Sequence, residues 1–292
     1  MPGLTDSRPV IGAFAMNPQS LIPKTLIDVV VDDLRYYLPY ELGRYFIAAS
    51  VLAGIIWVLR RTRFKSRQIQ PRTATREDFR REVVSSLMTI FIYLLVAIPI
   101  DWSEHNGWMT YGGDGHPLAY NLMMFALIVL GHDAYFYWTH RAMHTRLLFK
   151  TFHRHHHLST TPTPWTAYSF ALPEALVNAM FFPFWLILVP TPGIVTFSFL
   201  TVQIIRNVTA HAGLELHPRW WLLTPLTSWI SATTHHDLHH SGGFNHNYGF
   251  WFTFWDRLMG TEHPRYRETF ARVTARPDAT ESQGLLSTPS GL

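Results

Sequence analysis

Residues 175–205 contain no charged side chain, and this gap between Glu174 and Arg206 narrows the folds open to the chain. Soluble domains carry charge on roughly a quarter of their residues, which makes so long a gap unusual for them. One interruption occurs, at Pro190-Thr191-Pro192-Gly193, and it reads as the turn of a helical hairpin. Each arm is short for a hydrocarbon core of about 30 Å, so the hairpin is two spans or a re-entrant pair. Either way the chain returns to the side it left. Three other uncharged segments precede it, at residues 45–59, 83–100 and 117–131. The first is short, and its flanking Arg44 and Arg60 are expected to snorkel toward water. Segments of this length also suit buried helices of a soluble domain, so sidedness has to decide.

Charge supplies that test. Residues 60–81 hold nine Lys and Arg, whereas residues 101–116 hold none and carry three acids. The positive-inside rule puts the first loop in the cytoplasm. Counting spans forward then brings residues 140–157, 211 and 234–240 to that same face. Only 15% of the chain is charged, and 11 Trp, 12 Tyr and 20 Phe suit a membrane-embedded protein with interfacial rings. The expected fold is therefore all-α, an integral-membrane bundle of about four spans, hairpin included, with a cytoplasmic histidine-rich helical cap. Residues 1–42 read as an N-terminal segment without a cleavable signal. Residues 43–274 are expected to form one membrane-embedded domain, the one that carries every histidine box, and 275–292 read as a disordered tail.

The cap is where the histidines fall. Three boxes are present: His140 and His144 in HRAMH; His153, His156 and His157 in FHRHHH; His236, His239 and His240 in THHDLHH. Spacings of i, i+3 and i+4 place the rings on one face of a helix, the arrangement by which imidazoles share a metal. His211 lies at the end of the hairpin, four residues after Asn207, and makes a ninth candidate ligand. Nine imidazoles exceed what one first-row metal takes, so two metals follow. Imidazole suits iron, zinc, copper and nickel alike, which leaves the metal open. Asp133 shares a stripe with Tyr137, His140 and His144, and a carboxylate inside a span is costly enough to suggest function. It is expected to accept the other N–H of a ligating ring. Asp133 and Asn207 are thus the candidate catalytic residues. His132, His155, His217 and His235 lie off the pattern, and the sequence does not fix their roles. Trp165, Tyr168 and Phe170 are candidates to line a lipid entrance, but such aromatics usually anchor, and they read first as interfacial anchors.

The absence of cysteine removes disulfides, thiolate metal sites and Cys nucleophiles. The formal charge of +4 is modest and not interleaved with aromatics, so no nucleic-acid partner is expected. A membrane zinc hydrolase would need a general base such as the Glu of HExxH, and that motif is missing. A metal transporter would place its ligands near mid-bilayer, whereas these boxes fall at the cytoplasmic ends of spans.

DAYFYWTHRAMH, FHRHHH and HHDLHHS, followed by NYGFWFTFWDRLMGT, resemble the fatty acid hydroxylase/sterol desaturase family over roughly residues 125–262. The resemblance implies a di-iron centre, with zinc able to substitute in overexpressed protein. It also implies O2 as co-substrate and hydroxylation or desaturation of a membrane lipid, whether sterol, fatty acyl or related chain. The chain shows neither GxGxxG nor a haem-binding HPGG. Electrons are therefore expected from an external reductase with a ferredoxin or cytochrome b5-like donor. Asn247-Tyr248-Gly249 and Asp256-Arg257 also match the family; they are expected to form a turn and to brace the third box.

Overall fold

The computed structural model describes residues 24–275, apart from 110–111, 114 and 242–243. The expected tail, except Ala275, and the first part of the N-terminal segment lie outside the described residues. Among those described there are helices and 3-10 turns, with two isolated β-bridges and no strand.

Four helices are long and apolar enough to cross a membrane: α1 (Leu26–Leu59), α2 (Arg76–His105), α3 (Leu118–Met143) and α6 (Gly193–Ala210). Between α3 and α6 come the single turn α4 (Phe149–Phe152) and the apolar α5 (Leu172–Leu188). Helix α6, at about 1.5 Å per residue, spans about 27 Å. It pairs with α5 across residues 189–192 as the expected hairpin. Only 28% of the apolar window of α1 and of α3 is buried. Their apolar side chains point outward, which suits a lipid surround and no aqueous one.

Helix α1 departs from the sequence reading. It starts well before residue 43, with Thr25 and Asp28 forming a capping box. A π-helical turn at Asp33–Tyr37 precedes Pro39. A proline ring clashes with the carbonyl four residues earlier, and the widened turn lets the helix continue past it. Arg44 does not snorkel. It is buried, with Nη2 2.6 Å from both carboxylate oxygens of Glu41 and 2.9 Å from the Tyr168 hydroxyl. Tyr168 is buried too, its ring stacked on Tyr45 at 5.2 Å, and Phe170 belongs to the same core. These two aromatics are packing residues and not the anchors expected.

The basic loop and the three boxes share one end of the bundle. The loop contains a 3-10 turn at Arg63–Arg67 and bridges to the segment after α6 through Gln68 and Leu214. Gln70 Nε2 donates to Asp237 within the third box, and Ser85 Oγ lies 2.7 Å from His155 Nε2. Residues Trp108 and Met109, from the acidic loop, instead line a cavity of about 170 Å³ with Leu186, Ile187 and Pro190 at the hairpin turn. The opposed loops inferred from charge thus sit at opposite ends.

Three short helices complete the cap: α7 (Thr233–His240), α8 (Phe254–Leu258) and α9 (Tyr266–Thr274). Ala232 offers α7 no side-chain cap. Glu215 supplies one from outside, its Oε2 accepting from Thr234 N at 2.8 Å and Thr234 Oγ1 at 2.6 Å. A carboxylate there also complements the positive end of the helix.

Candidate metal centre

All nine candidate histidines converge, in two groups. His140, His144, His153, His157 and His239 form one; His156, His211, His236 and His240 form the other. Within each group one ring nitrogen per residue lies within 4.8 Å of the rest. Eight of the nine rings are buried, and His144 is half-buried.

The boxes contribute to the groups differently from the expected single face. Consecutive helical residues point about 100° apart. In α7, His236 and His240 at i and i+4 enter the second group while His239 turns into the first. The second box is not one helix: α4 ends at Phe152, His153 follows with non-helical backbone, and a 3-10 turn spans His156–Leu158. His153 and His157 face the first group and His156 the second. His140 lies in the last turn of α3 and His144 caps its C-terminus.

Hydrogen bonds at the far side of the rings fix their tautomers. The Nδ1 of His140 donates to Tyr248 O at 2.8 Å, that of His239 to His246 O at 2.7 Å, and that of His240 to Ser159 O at 3.0 Å. His211 Nδ1 donates to Asn207 O at 2.8 Å and His156 Nδ1 to Ser169 O at 3.2 Å. His153 Nδ1 meets a carboxylate, Glu174 Oε1, at 2.7 Å. Carbonyl oxygens only accept, so the rings that meet them carry the proton on Nδ1 and present an Nε2 lone pair inward. Burial, then neighbouring imidazoles, hold His153, His156, His157, His236, His239 and His240 well below the ordinary histidine range. The neutral ring is the ligating form.

The inward Nε2 atoms of both groups face each other. Nε2–Nε2 separations are 2.9 Å for His140–His153, 3.1 Å for His144–His239 and 3.2 Å for His144–His157. In the second group they are 3.0 Å for His211–His236, 3.2 Å for His236–His240 and 3.4 Å for His156–His211. Where both rings carry their proton on Nδ1, as in His156 and His211, two acceptors at such range repel unless a cation lies between them. With metal–imidazole bonds of about 2.1 Å, neighbouring ligand atoms stand about 3.0 Å apart in an octahedron and about 3.4 Å in a tetrahedron. The donor set and its spacing therefore fit two first-row metal ions.

Two expectations about supporting residues need correction. Asp133 does not meet a ligating imidazole: its Oδ1 accepts from Trp251 N at 3.0 Å and Phe252 N at 3.1 Å. It fastens the loop beside the site. Asn207 directs its side chain to Ala167 O; only its backbone carbonyl, one helical turn back, reaches His211. His132 accepts from Trp251 Nε1, and His217 pairs with Glu215. His155 and His235 lie outside both groups.

Acids do the bracing: Glu174 and Glu82, which the sequence reading passed over, and Asp256, which it expected in this role. Glu174 holds His153, and it is the last charge before the apolar gap, the one signal that marked it. Glu82 on α2 accepts from Ser159 and Thr163, fixing the segment whose carbonyl holds His240. Asp256 accepts from the amides of Tyr248 and Gly249 and from Thr261. His235 Nε2 stands 3.3 Å from Asp256. Asp256 thus steadies both the third box and, through Tyr248 O, His140. A Cβ at Gly249 would come within 2.7 Å of Asp256 Oδ2, so only glycine fits this turn. Asn247 precedes it with φ 61°, its side-chain amide donating to His235 O.

Comparison with known proteins agrees with this geometry. Residues 125–261 match the fatty acid hydroxylase family model. Lathosterol oxidase of Homo sapiens is 27% identical over 180 residues, covering 60% of this chain and 56% of that protein. The Mus musculus lathosterol oxidase is 30% identical over 45% of this chain and 42% of its own. A Delta(7)-sterol 5(6)-desaturase of Aspergillus fumigatus is 25% identical over 80% of this chain and 63% of its own. The chain spans about half the length of the curated relatives it matches. No solved structure matches. The matched region contains all three boxes, His211 and the Asp256 turn, and residues 125–261 of this chain are thus similar to the fatty acid hydroxylase family.

Proposed function

We propose that this chain is an O2-dependent lipid hydroxylase or desaturase that works at two irons. The observation that carries the reading is the set of inward Nε2 atoms 2.9–3.4 Å apart in two adjacent groups. His140, His144, His153, His157 and His239 hold one ion, and His156, His211, His236 and His240 the other. The bound irons supply O2 activation and removal of hydrogen from an unactivated C–H bond. The residues of this chain hold the rings in one tautomer, keep them neutral and shield them from water. Neither group includes a carboxylate.

The substrate is a lipid reaching the site from the bilayer. The relatives named above oxidise or desaturate sterols by name, so sterol-class lipids are the first to test. The site faces the cytoplasm on the reading of loop charge, and electrons come from a ferredoxin or cytochrome b5-like protein with its reductase. Expression in a sterol-containing host, followed by lipid mass spectrometry, tests this. The expected result is a lipid gaining about 16 or losing about 2 mass units, the changes of one added oxygen or two lost hydrogens, only with O2 present and not with His239→Ala. Metal-dependent lipid hydrolysis that proceeds without O2 would contradict it.

A further inference from the structure

The cap exposes a set of large apolar side chains that its own packing does not use. Trp220, Leu223, Leu226, Trp229, Phe254 and Leu258 are each between 43% and 85% exposed. Scattered surface apolars need no explanation, but a contiguous patch marks an interaction surface. These residues sit on or beside three elements that pack together. The 3-10 turns Arg219–Leu222 and Thr227–Trp229 pack on each other, and the Trp229 and Phe254 rings lie 6.3 Å apart. Thr253 N donates to Trp229 O at 2.8 Å, joining the segment before α8 to the second of those turns.

The patch continues into the membrane-facing side of α3. Phe254 contacts Trp255 at 5.2 Å, and Trp255 contacts Trp138 at 5.7 Å. Trp138 lies on α3 near its cap end and is exposed, as are Leu127 and Leu130 on the same helical face. Two arginines border the rings: Arg257 sits 4.4 Å over Trp229 and Arg141 5.8 Å over Trp138. Tryptophan with adjacent arginine is the composition of a headgroup layer, where rings take the apolar side and guanidinium groups the phosphates.

We propose that this face of the cap lies in the bilayer interface, as a skirt inserted into the leaflet that meets the C-terminal end of α3. Its occupant is lipid and not a protein. The cap is then a monotopic element attached to the spanning bundle, dipping the ~5–10 Å usual for interfacial helices. This placement brings lipid close to the first histidine group. Trp255 stacks on Tyr137 at 5.8 Å, Tyr137 contacts Tyr248 at 6.2 Å, and Tyr248 O holds His140. Exposure and continuity place the skirt in the interface whichever reaction the site performs.

The chain has no cysteine of its own, so single spin labels report position directly. Leu223→Cys, Leu226→Cys and Leu258→Cys are labelled in the full chain in phosphatidylcholine–phosphatidylglycerol vesicles, with Glu268→Cys on α9 as the aqueous reference. Metal content of each variant reports that it has folded. Power-saturation EPR then compares collisions with O2, which partitions into lipid, and with a water-soluble nickel chelate. The skirt predicts an O2-to-nickel ratio several-fold higher at 223, 226 and 258 than at 268. Equal ratios at all four positions would overturn it. So would labels at 223, 226 and 258 that stay open to nickel in vesicles and become protected only when a soluble electron-donor protein is added, because the patch would then be a protein-docking face.

Discussion

Glu174 and His153 are both nearly inaccessible, and among the described residues their 2.7 Å contact is the one carboxylate bond made by any of the nine rings. A carboxylate behind a ligating imidazole fixes its orientation and raises its basicity, and losing such a partner typically costs 10–100-fold in metal affinity. Glu174→Ala should therefore weaken metal retention about 10–100-fold against a chelator, and Glu174→Gln, which keeps an acceptor oxygen, should lie nearer wild type. Equal retention in all three proteins would show that the bond does not orient His153. His155 touches Ser85 and belongs to neither group, so His155→Ala should keep its metal where His156→Ala does not. Spacing alone nominated the nine rings that the structure gathers. It could not reveal their partition, because whether His156 and His157 share a site depends on a backbone turn at 153–155. Nor could it reveal the supports, since carbonyls at 159, 169, 246 and 248 have no signature in side-chain identity. Asp133 was misassigned for the same reason: its stripe on α3 is real, but the loop amides at 251 and 252 reach it first.

Helix α7 is too short to persist by itself, because isolated helices of fewer than about 12 residues are marginal in water. It persists here because Glu215 caps it and the strap from the basic loop reaches Asp237. Burial opposes ionisation of Glu215, yet hydrogen bonds from His217 and Thr234 outweigh it and hold the carboxyl below the ordinary glutamate value. A group depressed in the folded state contributes stability above its unfolded pKa and loses it as pH falls through the folded value. Glu215→Ala leaves the Thr234 and His217 donors unmatched and should cost about 3 kcal/mol or more. Thermal unfolding in detergent, followed by circular dichroism, should show that loss at neutral pH and a smaller difference from wild type in acid. A loss independent of pH would contradict the ionised cap. The hairpin α5–α6 and helix α2 were legible because a charge-free run has few alternatives. The start of α1 was not, because Glu41 and Arg44 look like the end of a span, although they neutralise one another inside the bundle.

At the scale of the molecule, four apolar helices carry a cap in which every box meets the end bearing the basic loop. That arrangement predicts which face is which. A cysteine replacing Ser103 should react with an impermeant reagent from outside intact cells, and one replacing Ser66 should react only after permeabilisation. The reverse pattern would put the histidine groups on the face away from a cytosolic donor. Purified protein with lipid, O2 and NAD(P)H alone should be silent, and adding a ferredoxin or cytochrome with its reductase should start turnover. Sustained oxidation without the second protein would contradict an external donor. Turnover with an external donor depends on the nine rings holding metal. Elemental analysis of active protein in mild detergent addresses this directly, on wild type, on His144→Ala in the first group and on His236→Ala in the second. The account predicts about two metal ions per wild-type chain, a count set by the two histidine groups, and a reduced count in each variant. A fully active wild-type chain with a single metal ion would contradict it.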